Sequence, residues 1–273
     1  MMGMFKGDEK NGEEERSDFN LTFSAVKAFS SKDVLICGSH GNIYAIHKTD
    51  GSQLWQTTFK AMGGIISLFV TDDDKLIAGA YGKTASFDLM TGAMIWVNKM
   101  PGFGYEEVSI VTTPSRILKP KKNPEQQPAT DDMELPPHYN DAVVPERAIV
   151  LACSRGKAMG IDIETGETLW TYNCPGGRYN IPVVIVEPPS MEEGRPNQLA
   201  YIGAAKWVYC LIAQTGAVVW SAKVASGMFG ADFMTLATPW SSRLAAESHS
   251  AFSQNPAPQY LELQRQKASN SSS

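Results

Sequence analysis

An all-β propeller is the fold class this sequence predicts, made of four four-stranded blades in an incomplete or open ring. Three observations predict it. An eighteen-residue segment returns four times in one frame, and each copy ends on a tryptophan four residues after a glycine. The residues around the copies read as short alternating or apolar stretches separated by turn residues, as strands do.

The copies are GSHGNIYAIHKTDGSQLW (38–55), GAYGKTASFDLMTGAMIW (79–96), CSRGKAMGIDIETGETLW (153–170) and GAAKWVYCLIAQTGAVVW (203–220). They align without a gap on Trp55, Trp96, Trp170 and Trp220, and on the turn glycines Gly51, Gly92, Gly166 and Gly216. Gly41, Gly82 and Gly156 share a second position, where the fourth copy has Lys206; His47, Asp88, Asp162 and Ile212 stand eight residues before each tryptophan. Trp55 and Trp96 are 41 residues apart, close to the roughly 40–45 residues of one four-stranded blade. Later intervals are longer because loops have been added.

Blade one is expected from LTFSAVKAF (21–29) to Phe59, blade two over 60–100, blade three over 101–174 and blade four over 175–225. In the second unit the strands fall at 65–71, 75–81, 84–90 and 93–99. The Thr-Gly pair between the last two reads as a two-residue hairpin, its glycine supplying positive φ. The aspartate before it can bond nearby backbone N–H groups. A blade cannot bury both faces alone, so the tryptophan is expected to cover the adjacent blade, its N–H finding a carbonyl there. ADFMTLAT (231–238) looks like the opening strand of a fifth blade that does not follow.

The shared pattern, glycine, then an aspartate, a Thr-Gly turn and a tryptophan, resembles the pyrroloquinoline quinone (PQQ) repeat over residues 20–240. That resemblance implies the propeller superfamily of the quinoprotein alcohol dehydrogenases, which also has cofactor-free members. Propellers of this type close with more than four blades, so the chain is expected to be a four-bladed ring, an open arc or a shortened larger propeller. The orphan strand favours the last two. An arc exposes apolar blade faces, so a protein partner or self-association is expected.

Outside the propeller, residues 1–18 form an acidic, disordered tail, and 241–273 a short helix and flexible tail. Insertions at 112–147 and 187–198, rich in proline and charge, read as loops on the face of the Thr-Gly turns. A net charge of −5 argues against a nucleic-acid surface. No apolar run has the length of a membrane helix or signal peptide, and the four cysteines, Cys37, Cys153, Cys174 and Cys210, are scattered. A soluble cytoplasmic protein is expected, with Cys37 and Cys210 as buried structural thiols.

The opposite face collects the second-to-third strand turns and the links between blades. Its candidate ligand or partner residues are His40, Tyr81, Lys83, Arg155, Lys157, Arg178 and Lys206, beside Asn42, Trp207, Tyr105, Glu106, Glu107, Tyr179 and Asp232. The basic members could attract an anionic ligand or partner surface. No hydrolase elbow, zinc-protease motif or phosphate loop is present, and the histidines are dispersed. A quinoprotein dehydrogenase needs PQQ, Ca²⁺ with several oxygen ligands, and a carboxylate base. The family also commonly carries adjacent cysteines, which this chain lacks, and only Glu106, Glu107, Asn180 and Asp232 could offer the oxygens. The expectation is therefore a non-enzymatic interaction or scaffold module with no confident cofactor or metal residues and no catalytic ones. The alternative is a PQQ-dependent oxidoreductase with Ca²⁺, or an inactive remnant of one.

Overall fold

The computed structural model describes residues 21–23, 28–59, 65–113, 147–177, 181–189, 194–224, 234–238 and 264. The expected tails therefore lie outside the described residues, Gln264 excepted, as do most of the first insertion and the middle of the second.

Blade one holds β1 (Leu21–Phe23), β2 (Val34–Ser39), β3 (Asn42–His47) and β4 (Gln53–Thr58). Blade two holds β5 (Ser67–Val70), β6 (Lys75–Ala80), β7 (Lys83–Asp88) and β8 (Met94–Asn98). Blade three is β9 (Ser109–Thr112), β10 (Ile149–Ser154), β11 (Lys157–Asp162) and β12 (Thr168–Asn173). Blade four is β13 (Val183–Glu187), β14 (Leu199–Ala204), β15 (Trp207–Ile212) and β16 (Val218–Lys223). Blades two, three and four are antiparallel meanders, each strand paired to the next in sequence.

Blade one differs from expectation. Its order is β1-β4-β3-β2, with Phe23 opposite Trp55, so the first strand covers the outer edge of β4 instead of forming the inner edge. Without β1 the outer edge of β4 would present unpaired backbone groups.

The inner strands β2, β5, β9 and β13 lie side by side in that order, with no comparable contact returning from β13 to β2. The four sheets thus form an open arc. Its core is not inside any blade but between blades. One apolar cluster joins Val34, Ile43 and Trp55 of blade one to Leu76, Ala78 and Phe87 of blade two. A second joins Ile77 and Trp96 to Val108, Val150 and Ile161, and a third joins Leu151 and Ala158 to Val184, Ile202 and Leu211. Successive side chains of a strand point to opposite faces. In β6, Leu76 and Ala78 therefore meet blade one while Ile77 meets blade three, and the strand reads as an unbroken apolar run.

Glycines set the spacing of these layers. A Cβ on Gly79 would come 2.9 Å from Ile110 of blade three, and one on Gly38 would come 3.1 Å from Ile66 of blade two. At the equivalent Gly203 the close neighbour is the sulfur of Met234, 2.6 Å from such a Cβ. Met234, in the segment expected to open a fifth blade, thus lies against blade four, although residues 234–238 make no strand pairing.

Candidate functional site

The Thr-Gly turns are longer than the two-residue hairpins expected. Five residues separate the last two strands of each blade: 48–52, 89–93, 163–167 and 213–217. In each, the glycine N–H donates to the carbonyl four residues back, from Gly51 to His47, Gly92 to Asp88, Gly166 to Asp162 and Gly216 to Ile212, at 2.8–2.9 Å. The glycines have φ between 70° and 76°, the left-handed conformation that ends such a turn. The preceding side chain closes it from below. Asp88 Oδ1 accepts from the N–H groups of Met90 (3.1 Å) and Thr91 (2.7 Å), and Asp162 Oδ1 from those of Glu164 (2.9 Å) and Thr165 (2.8 Å). In blade one His47 Nδ1 takes this role, accepting from Thr49 N–H at 3.3 Å.

Burial alone would raise the pKa of Asp162, but these N–H donors and the nearby Arg147 hold its carboxyl below the usual value. The guanidinium Nε of Arg147 lies 2.9 Å from Asp162 Oδ2.

Each turn is the seat for the preceding blade's indole. Trp55 Nε1 donates to Leu89 O at 3.0 Å, Trp96 Nε1 to Ile163 O at 2.8 Å, and Trp170 Nε1 to Ala213 O at 3.0 Å. The rings cover Gly92, Gly166 and Gly216 so closely that an added Cβ would fall 2.5, 2.6 and 2.6 Å from them. Asn98 strengthens the second joint, its amide donating to Gly166 O at 2.8 Å. Trp220 differs: it is 43% exposed, on a strand exposed along its whole length, with Tyr201 at 6.0 Å between ring centroids. Among the described residues nothing lies within 4 Å of where a Cβ on Gly51 would sit.

Sequence reasoning passed over one feature of this joint. Ala45, Ser86, Gly160 and Cys210 lie opposite the four tryptophans in register. Their small side chains leave room for an indole to lie across the sheet; at Gly160 a Cβ would come 2.3 Å from Trp170 Nε1. The signal was present as a small residue ten positions before each tryptophan.

On the opposite face, His40, Tyr81, Arg155 and Ala205 occupy equivalent turn positions with φ of 49–53°. Gly41, Gly82 and Gly156 follow with positive φ, whereas Lys206 does not. The structure brings one group together. Gly82 is pressed against Gly104 O, Tyr81 and Tyr105 lie 5.2 Å apart at ring centroids, and Gly104 sits between the Glu106 carboxylate and the Arg155 guanidinium. Tyr105 is 74% exposed. Lys157 donates to Gly102 O at 2.7 Å and stands over Phe103, while Lys83 stands 5.5 Å over Phe59. Each ammonium group is thus held by the segment that follows the last strand of the preceding blade. His40 lies apart, bonded to Ser39 Oγ at 2.7 Å, and Trp207 stacks on Tyr209 in blade four beside Lys206. Arg178, Tyr179, Asn180 and Asp232 lie outside the described residues.

Glu106 accepts from Tyr105 N–H at 2.9 Å, and Glu107 O accepts from Ser154 Oγ at 2.6 Å. Among the described residues no three His, Cys, Asp or Glu side chains gather, and Asn180 and Asp232, two of the four oxygen donors a calcium site would draw on, lie outside them.

All four thiols are free, but Cys37 is exposed, which corrects the expected burial. It occupies the β2 side facing away from blade two, where a preceding blade would lie. Cys153, Cys174 and Cys210 are buried, and burial pushes the last two up to about 12 and about 11.

The family profile described as outer membrane protein assembly factor BamB matches residues 39–231. No curated protein matches the chain. Among solved structures, BamB from Moraxella catarrhalis is similar at 20% identity and TM-score 0.41, over 77% of this chain and 54% of that one. Saccharomyces cerevisiae Sqt1 aligns at 12% identity and TM-score 0.48, over 72% and 50%. Quinohemoprotein alcohol dehydrogenase ADHIIG from Pseudomonas putida HK5 aligns at 15% identity and TM-score 0.45, over 71% and 34%. The chain spans about half the length of the first two of these proteins and a third of the last.

Proposed function

This chain belongs to the PQQ-repeat propeller family described as outer membrane protein assembly factor BamB, and from that premise we propose a non-enzymatic protein-interaction scaffold. The observation that carries the reading is Tyr105, 74% exposed and paired with Tyr81 on a face that also presents Arg155. Tyrosine and arginine are the side chains that protein interfaces concentrate, because a large amphipathic ring and a planar cation gain much from desolvation at little entropic cost. The arrangement suits a folded partner that packs on the exposed Tyr105 ring. Four unpaired cysteines support a reducing, cytoplasmic setting.

The test compares wild-type bait with Tyr105→Ala and Arg155→Ala. A partner held by the wild type should be lost from both variants, with each melting within about 2 °C of the parent, the change expected of surface substitutions. Equal capture by all three would reject this face. Titration with PQQ and Ca²⁺, followed by quinone absorbance and dye reduction, tests the oxidoreductase alternative; saturable binding with turnover would replace the scaffold reading.

A further inference from the structure

Every joint inside the arc has the same two parts. The leading blade supplies an indole; the following blade supplies a turn glycine and the carbonyl three residues before it. At the two ends of the arc these parts are separated. Blade four carries Trp220, 43% exposed, beside Val218 at 50%. Blade one carries the turn of Gly51, whose Cβ direction is open among the described residues.

That first-blade turn is already shaped as a seat. Gly51 has φ of 72°, against 71°, 76° and 70° at the three occupied turns. Its N–H donates to His47 O at 2.9 Å, as the occupied turns donate at 2.8, 2.9 and 2.8 Å. The carbonyl matching those of Leu89, Ile163 and Ala213 is that of Lys48. The acceptor residues of the occupied joints are apolar and buried whereas Lys48 is exposed, so what the first-blade turn shares with them is its backbone. The turn itself is polar and exposed at Lys48, Thr49, Asp50 and Ser52, and the apolar surface of this blade end lies on β2, where Leu35 is 51% exposed and Cys37 shares its face.

We propose that a second copy of this chain docks head to tail on the first, with Trp220 of one copy seated on the Gly51 turn of the other and its Nε1 donating to the Lys48 carbonyl. The idea rests on the scaffold reading only in naming one of its partners, and it uses a different surface from Tyr105 and Arg155. Such a joint is heterologous, so the assembly closes when the rotation allows and otherwise extends as a series.

The experiment measures mass against concentration by sedimentation velocity for the full chain, Trp220→Ala and Gly51→Asn. Asparagine tolerates the left-handed conformation but places a side chain where the indole must lie. Wild type should self-associate, and each variant should weaken that association at least about 30-fold, the loss expected at a central anchor. The two variants mixed should form a one-to-one pair, because the intact Trp220 of one meets the intact Gly51 of the other. Thiol labelling of Cys37 should slow as the wild type associates. A wild type that stays monomeric at 100-fold above typical assay concentrations, an association indifferent to both substitutions, or variants that fail to complement each other would overturn the proposal. None of these results touches the Tyr105 test, so the two readings fail separately.

Discussion

Replacing Gly166 by alanine should destabilise the fold clearly more than the same replacement at Gly51. Both residues hold positive φ, 76° and 72°, so both variants carry the roughly 1–2 kcal/mol that an L-residue loses in the left-handed region. At Gly51 that strain is the whole cost, because no described atom lies within 4 Å of the new methyl. At Gly166 the methyl would fall 2.6 Å from the Trp96 ring, and forcing an indole off its seat adds about 1–3 kcal/mol of overpacking. The difference between the variants, about 1–3 kcal/mol, isolates the indole contact from the backbone term. Gly92→Ala and Gly216→Ala should follow Gly166, with rings at 2.5 and 2.6 Å. Urea unfolding at sub-micromolar protein, monitored by tryptophan fluorescence and far-ultraviolet circular dichroism, measures all four variants against the parent. Four equal losses would refute the seating argument, since they would show that only the backbone conformation matters.

Other outcomes follow from the same joints. Trp55→Ala removes a fully buried ring and should cost about 3–5 kcal/mol, whereas Trp220→Ala in the dilute monomer should stay near about 0.5 kcal/mol; melting curves compare them. Asp162→Asn should cost about 1–2 kcal/mol at pH 7 by weakening charge-assisted bonds. Because the folded carboxyl lies below its ordinary value of 3.8, its contribution is present above that pH and disappears as pH falls through the lower folded value. Wild type and variant should therefore converge in acid, which unfolding midpoints across pH will reveal. In dilute native protein a thiol reagent should modify Cys37 quickly and the other three cysteines only on unfolding, since those are buried; mass spectrometry counts the adducts.

The repeat was legible because each copy must solve one packing problem with the same chemistry. A ring sits over a glycine, a small residue lies under the ring, and a side chain or backbone acceptor closes the turn, so the positions recur in fixed register. Features set by what lies beyond a blade were not legible. Cys37 occupies a place where Ala78 is buried, yet no sheet among the described residues packs on that side of β2. The pairing of Leu21–Phe23 with β4 is a choice between two edges that a three-residue strand cannot announce. The longer turns were hidden because each is closed by a backbone bond from the glycine N–H to the carbonyl four residues back, whether that residue is Asp88, Asp162, His47 or Ile212, which turns an apparent dipeptide corner into a five-residue loop. Lys83 and Lys157 read as a charged rim in sequence, whereas Phe59, Phe103 and Gly102 O hold their ammonium groups.

Since one sheet contributes both a projecting wedge and a receiving notch, each sheet is a transferable building block. Excising blade three as a whole would leave Trp96 facing the Gly216 notch and the Ala213 carbonyl, the same kind of receptor it now fills at Gly166 and Ile163. A gene could thus lengthen or shorten such a protein one sheet at a time without inventing a new fastening.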